Sequence, residues 1–185
     1  MDSDGPSTVS LTIDGAAWHA VLADPEPLCR QAIWATLRRT APAPWLTSPE
    51  VSILLCDDAR MRELNRSYRG QDRATNVLSF PTYELDPERA PPAPRQGPAL
   101  LGDIALAAET VSGEAAAQGK RTADHLCHLL VHGCLHLLGH DHQTTAGARR
   151  MERLERLVLA DLGISDPYGE AGPAARASAG MGAQA

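Results

Sequence analysis

The stretch that most constrains this chain spans residues 123–142 and reads ADHLCHLLVHGCLHLLGHDH. It predicts a helix over 123–138, with Thr122 as its cap and Gly139 as its stop. Positions four apart on a helix lie one turn above each other, about 6 Å along the axis. His132 and His136 therefore offer two imidazoles on one stripe, and the chain that reverses after Gly139 brings His142 back toward them. Any fold for this chain has to gather the helix end, the bend and the returning histidine in one neighbourhood.

H-x3-H-x2-G-x2-H is the ligand spacing of metzincin zinc sites, including the glycine that makes the turn. Three neutral imidazoles with one position left open suit a catalytic zinc ion, one per chain. Five of the seven histidines fall between His128 and His142, which weighs against a chance set of surface or capping histidines. His128, one turn before His132, is a ligand, a support for a ligand or core. His140 competes for the third position, and His142 is preferred because it keeps the glycine-turn spacing. Asp141 is placed to orient a ligand ring through its second nitrogen, or to cap the chain. Cys134 lies on another face of the helix and reads as core filler.

Gly133 limits the chemistry. An H-E-x-x-H peptidase carries at this position the glutamate that moves the proton of its metal-bound water, and glycine has no such group. Met151 falls within a later helical pattern and does not supply a Met-turn. A water bound to zinc in a protein site can have a pKa near 7 without a general base beside it, so hydrolysis of a linkage with an easier leaving group, such as a phosphodiester, stays open. Amide hydrolysis would need another acid, such as Asp103 or Glu109, beside the metal.

Elsewhere the pattern alternates without regular βαβ units, so the class is α+β. Strands are expected at residues 8–13 (an edge), 51–56, 76–80 and 100–107, four in all. Helices are expected at 26–39, from an Asp57 or Asp58 cap to about Tyr68, at 108–118, and at about 144–162 with Met151, Leu154, Leu157, Val158 and Leu162 inward. The proline-rich run 86–98 reads as an exposed loop within a single compact domain, residues 1–170, and the Gly/Ala/Ser-rich residues 171–185 as a disordered tail. The acidic start, MDSDGPSTVS, has no apolar segment of the secretory kind, and no run approaches the ~20 apolar residues that span a bilayer. The expectation is a cytoplasmic protein with no membrane partner. A net charge of −6 argues against a generally basic nucleic-acid binder but leaves room for a local basic groove. The four scattered cysteines, without a C-x-x-C pair, are expected to be reduced and buried.

Such a basic stretch exists. Residues 64–81 read LNRSYRGQDRATNVLSFP, and Arg66, Arg69 and Arg73 follow Arg60 and Arg62. An arginine fork holds a phosphate through two hydrogen bonds and offsets charge building on its oxygens. Together with Leu101-Gly102-Asp103-Ile104, the histidine block and Asp166-Pro167-Tyr168, this segment resembles the YbeY family of bacterial metal-dependent endoribonucleases, over roughly residues 8–168. The resemblance implies a small mixed sheet packed with helices, a zincin-like metal helix, and Zn2+ held by His132, His136 and His142. It also implies a catalytic Arg69; the basic stretch itself offers Arg66 and Arg73 to bind RNA. The implied activity is single-strand-specific cleavage in maturation of the three-prime end of small-subunit (16S) rRNA and in ribosome quality control. The implied partners are ribosomal RNA and the small subunit or its assembly factors, not DNA. A ribosome-assembly factor with a structural zinc and a zinc-dependent amide hydrolase are the alternatives. His140 stands where this family usually has tyrosine.

Overall fold

The computed structural model of the protein describes residues 8–41, 49–89 and 98–169. Four strands form one sheet: β1 (Thr8–Ile13), β2 (Pro49–Cys56), β3 (Val77–Pro81) and β4 (Ala99–Ala107). Their spatial order is β1-β2-β4-β3, with β1, β2 and β4 parallel and β3 antiparallel along the edge of β4. The expected edge position of the first strand holds, and the sheet is mixed. A bulge where Glu50 pairs Leu100 and Val51 pairs Gly102 leaves Leu101 unpaired on β4.

Among the described residues six helices pack with the sheet: α1 (Ala17–Val21), α2 (Glu26–Thr40), α3 (Asp58–Arg69), α4 (Ala108–Ala117), α5 (Thr122–Leu137) and α6 (Thr145–Asp161). Side chains alternate across a strand, so the sheet serves two cores. On one face Val51, Ile53, Leu55, Ile104 and Leu106 meet α2, α5 and α6 in the main core. On the other, Cys56, Leu78, Ala105 and Ala107 pack with Met61 of α3, and Leu64 and Phe80 lie against them. Asp57 caps α3 by accepting the Arg60 amide at 2.8 Å, and Thr144 caps α6 by accepting the Gly147 amide at 3.0 Å.

Three details depart from the sequence reading. The short helix α1 was not expected; its Trp18 is fully buried and donates from Nε1 to the Leu106 carbonyl at 3.3 Å, so tertiary packing holds it. Thr122 does not cap α5: it is the first helical residue, Arg121 occupies the cap position, and no side chain accepts there. Leu157 is exposed on α6, while Glu155 occupies an inward position. Of the proline-rich loop, residues 86–89 and Pro98 are exposed; residues 90–97, like the tail 171–185, lie outside the described residues. Among the described residues no helix is long and apolar enough to cross a membrane. All four cysteines are free and buried, and burial pushes the Cys134 thiol up to about 12, as befits core filler.

Candidate metal centre

Helix α5 packs tightly enough on the sheet that a side chain at the position after His132 would crowd its neighbours. A Cβ on Gly133 would stand 3.0 Å from both Ile104 Cγ2 of β4 and Ser79 Oγ of β3. A side chain at position 133 would press on Ile104 and Ser79 on this face of the helix. At the other end of α5, the His140 amide donates to the Leu135 carbonyl and the Gly139 amide to the His136 carbonyl, both at 3.0 Å. Gly139 makes this turn with φ +86°, and a Cβ there would fall 2.1 Å from the Leu85 carbonyl oxygen, so only glycine fits between the turn and the loop after β3.

The turn returns His142 to the helix. The ligand nitrogens of His132, His136 and His142 all lie within 4.8 Å of one another, with His132 and His136 half-buried and His142 exposed. His132 Nε2 and His136 Nε2 are 3.1 Å apart. Two nitrogens bound at ~2.0–2.1 Å to one tetrahedral ion would stand about 3.3 Å apart, so the His132–His136 pair stands close to the spacing that a zinc ion requires. Burial first, then the neighbouring His132 and His142, holds His136 down at about 4, which keeps its ring neutral as a ligand must be. His140 is not part of this trio; burial lowers its ring too, with Arg150 adding to the effect. Asp141 accepts the Gln143 amide at 3.1 Å in the loop, a chain-turning role.

The carboxylate that does reach a ligand ring is Glu155 of α6, which sequence reasoning missed. It is 0 % exposed; Oε1 lies 2.7 Å from His132 Nδ1, Oε2 lies 3.1 Å from His128 Nε2, and the Tyr168 hydroxyl also donates to Oε2. Burial alone would raise this carboxyl, yet the bonds from His128, His132 and Tyr168 outweigh it and hold Glu155 at about 2. His128 thus stands beside His132 on the same carboxylate. One signal was available: residue 155 is four after Met151 and three before Val158, on the face of α6 that otherwise buries apolar residues.

The arginines sit on α3 and the loop after it. Arg60 pairs with Glu63 at 2.8 Å and Arg62 with Asp72 at 2.7 Å, which gives those two a local partner. Arg73 bonds the Gln71 side chain at 3.2 Å, and Arg66 lies near enough to Asp72 to help hold that carboxyl low. Arg69, the last residue of α3 before the left-handed Gly70 cap, is exposed and has no ion pair among the described residues. Beside it Tyr68 is 69 % exposed and its ring centroid is 4.9 Å from that of Phe80. Neither acid raised for amide chemistry joins the histidines: Glu109 accepts the Asp58 amide at 2.9 Å, and Asp103 is exposed on β4.

The family model described as Endoribonuclease YbeY matches residues 25–163. A protein of Rhodospirillum rubrum named Endoribonuclease YbeY is 48% identical over 170 residues, covering 88% of this chain and 83% of that one. One of Paramagnetospirillum magneticum with the same name is 47% identical over 162 residues, covering 88% and 96%. The solution structure of TM1509 from Thermotoga maritima has the same fold, with a TM-score of 0.52 at 21% identity over 88% of this chain and 100% of that one. The chain belongs to the endoribonuclease YbeY family.

Proposed function

We propose that this protein is a cytoplasmic, zinc-dependent endoribonuclease that cuts single-stranded RNA during maturation of the three-prime end of small-subunit (16S) rRNA and in ribosome quality control. Its partners are then ribosomal RNA and the small subunit or its assembly factors. The observation that carries the reading is the cluster of three imidazole nitrogens within 4.8 Å in a chain whose relatives are named endoribonucleases.

His132, His136 and His142 would hold one Zn2+. Bound there, zinc supplies a Lewis acid for a phosphodiester and lowers the pKa of water. The remaining work falls to the chain. Glu155 steadies His132 from behind, and the half-buried, neutral His136 keeps its lone pair for the ion. Arg69, an exposed cation with no ion pair among the described residues, is the residue to hold a phosphate and offset its growing charge, with Arg66 and Arg73 gripping the strand on either side. Tyr68 sets an aromatic face next to Arg69, and stacking on such a face favours bases that are not paired. An amide hydrolase is disfavoured because, among the described residues, the acid that bonds a histidine of the trio, Glu155, binds the outer nitrogen of His132.

The test is cleavage of a small-subunit rRNA precursor, compared with the same sequence annealed to its complement. Cleavage should be confined to the single strand, stop on chelation and return with added zinc. Cleavage that survives full metal removal would contradict the reading.

A further inference from the structure

Glu155 is an uncommon residue to find where it lies. Met151, Val158 and Leu159 on the same face of α6 are buried core residues, and an apolar side chain would fill the space at less cost than a buried carboxylate. Among the described residues no lysine or arginine pairs with it. Its three partners are the rings of His128 and His132 and the hydroxyl of Tyr168.

A carboxylate set between two ring nitrogens and a hydroxyl is satisfied when all three donate to it. His132 then carries its proton on Nδ1, 2.7 Å from Oε1, and turns the bare Nε2 toward His136 Nε2, 3.1 Å away. Tyr168 reaches the same carboxylate from beyond α6. Its segment is pinned at several points: the Tyr168 amide donates to Asp166 at 2.9 Å, Arg156 binds Asp166 at 3.2 Å, and Lys120 donates to the Pro167 carbonyl at 3.0 Å. The Arg156 guanidinium also lies 4.9 Å from the Tyr168 ring centroid, so the tyrosine is held in place from both sides of its carboxylate bond.

We propose that Glu155 and Tyr168 are positioning residues of the metal centre: Glu155 locks His132 in the tautomer whose Nε2 is free for a metal ion, and Tyr168 locks Glu155. The segment Asp166–Tyr168 is then part of the metal centre although it supplies no ligand. The inference rests on the reading of His132, His136 and His142 as ligands.

Two measurements test it. Nitrogen-15 NMR of metal-free wild-type protein should show His132 protonated at Nδ1 and bare at Nε2. Zinc affinity, read by competition with a chromophoric chelator, should fall roughly 10- to 100-fold in Glu155→Gln and by a smaller factor in Tyr168→Phe, the range expected when the outer partner of a ligand histidine is lost. Wild-type protein that binds no zinc would bring down the ligand reading and this one with it. Wild-type binding with both variants at wild-type affinity, or a His132 protonated at Nε2, would overturn this inference alone. Should Glu155→Gln fail to fold, Tyr168→Phe and the wild-type tautomer decide.

Discussion

Gly133 sits where a peptidase of similar spacing would carry its general base, and its surroundings are tight. With Ile104 Cγ2 and Ser79 Oγ each 3.0 Å from its missing Cβ, a larger side chain makes those two side chains give way. Gly133→Glu should therefore destabilise the protein by about 1–3 kcal/mol, as overpacking does, and yield no peptidase. A urea-unfolding midpoint equal to the wild-type value would refute this. Arg69 poses the opposite case, an exposed residue whose loss the fold should not feel. Arg69→Glu should abolish RNA cleavage while zinc content and unfolding midpoint stay at wild-type values; full activity would remove Arg69 from the mechanism. The residue scale was partly legible in the sequence. The three histidines were readable because spacing on a helix is fixed geometry, whereas Glu155 was not, because its partners lie 23 and 27 positions away on another helix.

At the scale of elements, the bend after α5 matters most. Gly139 is wedged against the Leu85 carbonyl with a positive φ, so the loop after β3 and the metal helix close on one point. Gly139→Ala forces either the helix end or that loop to move, and His142 moves with the turn. The variant should bind zinc at least tenfold more weakly, measured by chelator competition, while His140→Ala, which removes a ring outside the trio, should bind as the wild type does. Equal affinity in Gly139→Ala would show that the turn does not place His142. Long periodic elements such as α2 and α6 were legible because amphipathic spacing persists over several turns. Helix α1 was not: five residues carry too little periodicity, and no side chain caps it. What holds it is Trp18, buried through contacts that only the assembled sheet provides.

For the whole molecule, burial of histidines makes stability depend on pH. Burial lowers His136 to about 4 and also lowers His125 and His140. A histidine in the unfolded chain takes up its proton near 6.5, so below that pH the unfolded state binds more protons and gains on the folded one. The stability these groups lend the metal-free protein is complete above about pH 6.5 and is lost as pH falls toward 4. Glu155 follows in a lower window: its contribution is full above 4.5 and fades as pH falls toward about 2. Denaturant midpoints of metal-free protein should decline steadily from pH 7 to pH 4, and a flat profile between 7 and 5 would contradict the burial argument. The α+β class and the four strands followed from local pattern, but strand order did not. Placing β4 between β2 and β3 depends on contacts between distant segments, which no local period records.

If three imidazoles hold one metal ion and leave a position free, X-ray absorption at the zinc edge of zinc-loaded protein will show one zinc per chain with three imidazole nitrogens at ~2.0–2.1 Å and one exchangeable oxygen. A coordination sphere filled by four protein ligands, or no stoichiometric zinc, would contradict it.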